Sequence, residues 1–321
     1  MRAVLTIFLL AACAAGQQLP HDDAVRIAEF YRLASQIQDG IWPGWSRTPA
    51  PLLLVTENTE FLTHHPTPPS GFAKVSEGFY ARPRQFDPHF LATFPAFGPP
   101  AIIVVGEPQD TEAKTSTPWL ITLMHEHFHQ LQYDQPGYYA ALERLGLSRG
   151  DTTGMWMLNY SFPYDNPDVV KGFSHLRDLL LRALDETDPR EFRKRAKEYI
   201  RERKRVFARL SPDDQKYFSF QLWQEGIARY TQIKAAEAAA SYEPSSTYVA
   251  LNDYESFAAY ARKARTGTLS ELKQADLSKW KRVFVYSFGG AEGLFLDRLR
   301  PDWRKEYFHH LLATDPLFLT R

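Results

Sequence analysis

Thr117-Pro118-Trp119-Leu120-Ile121-Thr122-Leu123-Met124-His125-Glu126-His127-Phe128-His129-Gln130-Leu131 is the stretch on which the reading of this chain turns. Thr117 is a good helix N-cap, Pro118 suits the first helical position, and nothing after them breaks a helix. The stretch predicts a helix of about four turns. Four residues apart, His125 and His129 then leave one face, where two neutral imidazoles can hold one metal ion. Glu126 is turned by about 100° from His125, beside such an ion without being its ligand, where a carboxylate can take a proton from water. The pattern is His-Glu-x-x-His. His127 points away from the pair and reads as a supporting or surface residue. The plainer alternative is a core helix packed through Leu120, Leu123, Phe128 and Leu131, its histidines bonded to backbone.

A catalytic zinc takes three protein donors and keeps a fourth position open. The best third donor is Glu225, in Leu222-Trp223-Gln224-Glu225-Gly226-Ile227-Ala228-Arg229-Tyr230. A glycine inside a helical pattern costs about 1 kcal/mol against alanine, which is easier to understand where something must approach the backbone. Glu143, in Tyr139-Ala140-Ala141-Leu142-Glu143-Arg144, is nearer in sequence but has exposed spacing. In Val285-Tyr286-Ser287-Phe288-Gly289-Gly290, Tyr286 can bring a phenol over the metal face and donate to a developing oxyanion. Taken singly, Glu225 also reads as a solvated helix residue and Tyr286 as a packed one.

Outward from these motifs, residues 52–55 (LLLV) and 102–105 (IIVV) are short apolar runs between prolines and polar residues, which predict buried strands. Residues 75–80 predict a third, with Gly78 as its weak point. Residues 22–38 have apolar positions at helical spacing, with Asp22 or Asp23 as N-cap. Of the 22 prolines, 14 precede residue 120, so the front half should be strands and loops and the back half helices. Residues 169–185, 191–210, 213–240 and 253–265 read as those helices, with Pro189 and Pro212 at boundaries. The fold class expected is α+β: a small mixed sheet with the metal helix beneath it (17–135), then a mostly helical half (136–321), one unit with the metal site in the cleft.

The chain has 321 residues, 44% of them hydrophobic, which excludes intrinsic disorder. Thirty-eight basic residues balance thirty-eight acidic ones, so no overall field favours nucleic acid or an anionic membrane. The basic stretch 190–209 reads as a solvated helix face. Met1-Arg2, an apolar run to Leu10 and small residues to Gly16 look like an export signal over residues 1–16, too short to span a membrane. Leu10-Ala11-Ala12-Cys13 resembles a lipobox, which would make Cys13, the only cysteine, a lipidation site. Cleavage after Ala14-Ala15-Gly16 would instead release a soluble protein. Either route predicts work outside the cytoplasm, secreted, periplasmic or lipid-anchored, with membrane contact only through that anchor.

Together these residues resemble the gluzincin metallopeptidases, the group of thermolysin and aminopeptidase N, and most of all their loosely defined peptidase-MA-like relatives. Trp223-Gln224-Glu225-Gly226-Ile227-Ala228 is similar to the Trp-x-x-Glu-Gly-x-Ala pattern of the aminopeptidase branch, one residue shorter after the tryptophan. Tyr286-Ser287-Phe288-Gly289 matches its Tyr-x-x-Gly motif. The resemblance implies a zincin-like fold, one Zn2+ per chain held by His125, His129 and Glu225, Glu126 as general base and Tyr286 as oxyanion donor. It implies an exported zinc metallopeptidase acting on a peptide or protein, with strand residues Ile103, Val104, Val105 and Gly106 holding an extended substrate by main-chain pairing. The departures are plain. Residues 130–224 separate His129 from Glu225, so a helical insertion at about 160–212 is required. The amine-binding Gly-Ala-Met-Glu-Asn strand of aminopeptidases is missing, and Arg229 stands where thermolysin-like enzymes often carry an acid. These departures keep open an exported binding protein with the site's shape and no hydrolysis. A helix-bundle di-iron protein would need Glu-x-x-His pairs on two separate bundle helices, and Glu126 with His129 would be one of them.

Overall fold

The computed structural model of the chain describes residues 18–319; the expected export segment and Cys13 lie outside the described residues. Six strands, β1 (Leu52–Val55), β2 (Thr59–Thr63), β3 (Ala73–Ser76), β4 (Phe79–Pro83), β5 (Leu91–Phe94) and β6 (Ile102–Gly106), form one mixed sheet in the order β3-β4-β2-β1-β6-β5. Only β1 and β6 pair in parallel. Along these two central strands Leu52, Leu54, Ile103 and Val105 join the main core, while Leu53, Val55, Ile102 and Val104 pack under a layer that includes Phe72, Phe86, Phe90, Phe94 and Phe97. Burial on both faces is why both strands read as unbroken apolar runs.

Helix α1 (His21–Ile41) precedes the sheet and α2 (Ser116–Tyr133) follows it. The remainder is helical: α3 (Tyr138–Leu145), α4 (Trp156–Asn159), α5 (Pro167–Asp185), α6 (Pro189–Phe207), α7 (Pro212–Gln221), α8 (Ile227–Ala239), α9 (Ser246–Val249), α10 (Phe257–Gln274), α11 (Leu277–Trp280), α12 (Phe284–Leu299) and α13 (Arg304–Tyr307). The molecule is thus α+β, a mixed sheet followed by a helical half. Asn166, Asp188 and Ser211 cap α5, α6 and α7, each followed by proline at the first helical position, so the chain sets these starts locally. Helix α2 is buried all round; Leu120, Leu123, Met124 and Phe128 are inaccessible to solvent, each contributing about 1.5–3 kcal/mol of burial. The Trp119 indole ties it to β6 by donating to the Gly106 carbonyl at 3.0 Å.

Several local expectations are corrected. Helix α1 starts at His21, so Asp22 and Asp23 lie in its first turn instead of capping it. Thr117 is inside α2, where its hydroxyl donates to the Glu255 carbonyl at 2.5 Å, and the α2 N-cap is Thr115. Gly78 is in the turn of the β3–β4 hairpin at φ +74°, so residues 75–80 are two strands and not one. The basic helix α6 is solvated on one face only. Its Arg203 is buried, donating to Glu292 of α12 at 2.6 Å and to Asp315 at 2.6 Å, while Tyr199 donates to the same Glu292 oxygen at 2.5 Å. The expected insertion is therefore the buttress of α12. Among the described residues no helix is long and apolar enough to cross a membrane.

Helices α7 and α8 are joined by a π-turn, Leu222–Gly226, and here α8 meets α12 backbone to backbone. A Cβ on Gly226 would lie 2.7 Å from the Gly289 Cα. Gly226→Ala is expected to destabilise the protein by about 1–3 kcal/mol through overpacking, seen as a lower thermal midpoint; an unchanged midpoint would contradict the close approach. At the end of β6, burial and then the neighbouring Asp23 carboxylate push the Glu107 carboxyl up from 4.5 to about 7. The fold holds this proton more tightly than the unfolded chain does. Its contribution is therefore fully present below pH 4.5 and is lost as pH rises through about 7. Between about pH 5 and pH 8 the wild-type denaturation midpoint should fall relative to that of Glu107→Gln, and parallel profiles would refute this.

Candidate metal centre

On one face of α2 the Nε2 atoms of His125 and His129 stand 3.1 Å apart. The π-turn, which adds a residue to the helical turn, delivers Glu225 opposite them. Its Oε2 is 3.3 Å from His129 Nε2 and 3.8 Å from His125 Nε2. A tetrahedral zinc shell with bonds of about 2.0–2.2 Å has ligand atoms about 3.3–3.6 Å apart, so three donors across 95 intervening residues already approximate one face of it. The Glu126 carboxylate also comes within 4.8 Å of both imidazoles. It is turned aside, because Thr93 of β5 donates to its Oε2 at 2.8 Å. Both carboxylates thus lie near the histidine pair, Glu225 within 3.8 Å of both Nε2 atoms and Glu126 in a cluster with the two imidazoles that could hold a metal ion.

The His129 ring is oriented from behind. Its Nδ1 donates to Gln132 Oε1 at 2.7 Å, which leaves Nε2 as the lone-pair nitrogen of the neutral ring. Gln132 Nε2 in turn donates to the Trp223 and Gln224 carbonyls of the π-turn at 2.9 and 3.1 Å. One amide thus fixes both the histidine and the turn that carries Glu225. Arg229 takes no part in this and pairs with Glu271 at 3.6 Å.

Tyr286 and Arg282 approach from α12 and the residues just before it. The Tyr286 ring lies nearly parallel to His125, with centroids 6.1 Å apart. Arg282 Nη1 is 3.4 Å from both the Tyr286 hydroxyl and Glu225 Oε1. Burial pushes the Tyr286 phenol well above its ordinary value, so it remains a donor at neutral pH. Burial would lower the His129 imidazole, but Glu225 and then Glu126 outweigh it and raise His129 to about 9. His125 is lowered, chiefly by burial. Glu225 is held well below the usual carboxylate range, because His129, His125 and Arg282 together overcome its burial.

Glu126, His129, Glu225, Arg282 and Tyr286 line a cleft of about 710 Å³ between residues 90–95 and a wall from α3, α4 and Phe220. The strand beside that cleft is not the expected one. Ile103, Val104, Val105 and Gly106 are buried in β6, whose two edges are already paired with β1 and β5, so they have no backbone groups to offer a substrate. The sheet ends at β5, and Leu91, Ala92, Thr93 and Phe94 line the cleft. Glu143, the alternative donor, is exposed on α3 at the rim. His127 is neither a supporting residue of the site nor on the surface. It is buried on the far side of α2, hydrogen-bonded to Gln130 and Gln38 and stacked on Trp45. Sequence reading passed over Gln132, Thr93 and Arg282. Only Gln132 had a signal, lying one turn beyond His129 on the same helix face.

No family model, no curated protein sequence and no solved structure matches this chain. In metal-free protein, Glu225→Gln is expected to bring the His129 imidazole down from about 9 toward the ordinary 6.5 in an NMR titration. An imidazole still at about 9 would mean that Glu225 does not govern it.

Proposed function

We propose that the chain is a zinc-dependent, gluzincin-type peptidase with a zincin-like fold, acting on peptide or protein substrates outside the cytoplasm. The observation that carries this reading is the triangle of His125, His129 and Glu225, with the Glu126 carboxylate fixed beside it. Zinc held by those three side chains, one per chain, supplies a Lewis acid that polarises a carbonyl and lowers the pKa of water toward neutrality. Glu126, steadied by Thr93 through one oxygen, takes the proton from the attacking water and hands it to the leaving amine. Tyr286 donates a hydrogen bond to the oxygen on which negative charge develops. Gln132 keeps His129 in the tautomer that presents Nε2. β5, at the sheet edge and against the cleft, offers its free main-chain groups to an extended peptide. Export by residues 1–16, with Cys13 as a lipid anchor or without it, remains part of this proposal.

Elemental analysis of purified protein is expected to give about one zinc per chain. Glu126→Gln should retain the zinc and lower turnover of an unfolded protein by about 10²–10⁴-fold; a zinc-replete variant with full activity defeats the proposal. Gln132→Ala should weaken zinc binding by about 10–100-fold in a competition titration, and unchanged affinity would remove its orienting role.

A further inference from the structure

Among the described residues Arg282 is the single lysine or arginine lining the cleft, against Glu126 and Glu225 at the floor and Glu143 and Asp151 at the rim. Asp151 is committed to the Thr153 and Trp156 backbone N–H groups at 2.7 Å. All three hydrogen bonds of Arg282 are long and use one nitrogen, Nη1: 3.4 Å to Glu225, 3.4 Å to Tyr286 and 3.5 Å to Gln221. Among the described residues Nε and Nη2 have no hydrogen-bond partner, the guanidinium lies 5.6 Å from the Tyr286 ring centroid, and the side chain is 23% exposed where it lines the cleft. The one carboxylate it faces, Glu225, is shared with two imidazoles. With a dication at the centre, the dication and guanidinium outweigh the Glu126 and Glu225 carboxylates by one charge. A planar guanidinium so placed suits bidentate recognition of a ligand carboxylate.

Beside it is an apolar shelf. Gln221 turns its carbonyl to Arg282 and donates from Nε2 to the Met157 carbonyl at 2.8 Å, which sets Arg282 against α4. Trp156 packs on Phe220 with ring centroids 5.4 Å apart. Met155 and Leu158 are each 49% exposed yet line the cleft, and large apolar side chains left open beside a site are a ligand surface.

We infer that Arg282 receives the C-terminal carboxylate of a peptide whose last residue is bulky and apolar, that side chain lying on the Trp156 shelf. The inference deepens the peptidase reading and rests on it for the position of the scissile bond, one residue before the carboxylate. The enzyme would then remove single C-terminal residues.

The test is read by calorimetric binding to the full zinc-loaded chain carrying Glu126→Gln, which slows turnover. The probes are N-acetyl-glycyl-phenylalanine, its amide, and N-acetyl-glycyl-glutamate α-amide. The free acid is expected to bind at least about tenfold more tightly than its amide. Adding Arg282→Gln should erase that preference, and Arg282→Lys should retain only part of it, with thermal midpoints checking that both variants fold. Equal binding of acid and amide, binding of neither, or a preference that survives Arg282→Gln overturns the inference. A glutamate amide bound as tightly as the acid overturns the C-terminal assignment. The two readings fail separately: acid preference without zinc or cleavage of any peptide removes the peptidase and leaves the receptor, whereas zinc and cleavage without acid preference do the reverse.

Discussion

Gly226 and Gly289 touch backbone to backbone, and that contact sets how Glu225 and Tyr286 are brought together in the cleft floor. Without a side chain between them, α8 and α12 lie close enough for the π-turn to carry Glu225 against α2 while α12 brings Tyr286 beside the His125 ring. A π-turn is rare in isolation and is kept by what packs on it. Here Gln132 binds two of its carbonyls, and the Tyr307 hydroxyl donates to one of them at 2.6 Å. On its outer side α12 is held by Glu292, which accepts from the buried Arg203 and Tyr199 of α6. Breaking either partner of such a buried pair leaves an uncompensated charge, so α6 acts on the site's geometry from a distance.

The electrostatics of the floor follow from this crowding. Two imidazoles and the Glu225 carboxylate are crowded together, and the protonation of each of these three depends on its neighbours. His129 keeps a proton because Glu225 faces it, and Glu225 stays ionised because His129 and Arg282 face it. A dication bound there, as proposed, would have to displace that proton, so metal binding would be coupled to proton release. The Tyr286 phenol, raised by burial, stays out of this exchange and keeps its hydrogen.

Much of this was legible in the residues, and the remainder was hidden for identifiable reasons. The histidine helix could be read because i, i+4 spacing projects directly onto one helix face. Gly226 announced a close approach, although its partner, Gly289, is too distant in sequence to be paired with it by spacing. Helical periodicity ran unbroken from Pro212 to Ala239 and concealed the π-turn, which one extra residue creates without any compositional mark. β5 was missed because Phe90-Leu91-Ala92-Thr93-Phe94-Pro95 is four strand residues inside an aromatic, proline-rich loop. β6 was given the substrate's place by the resemblance, as the strand ahead of the metal helix, although its continuous apolar run signals burial on both faces and such a strand is usually interior to its sheet. Arg203 resembles its exposed neighbours in every respect that sequence records; only its tertiary partners distinguish it.

We propose that His125, His129 and Glu225 form one metal-binding face although 95 residues separate the second histidine from the glutamate. An anomalous difference map collected at the zinc edge, from crystals grown with zinc, tests it most directly. The account predicts a single strong peak within bonding distance, about 2.0–2.2 Å, of His125 Nε2, His129 Nε2 and a Glu225 carboxylate oxygen, with Glu126 outside that distance. A peak bonded to Glu126 in place of Glu225, or no peak between the two histidines, would contradict it.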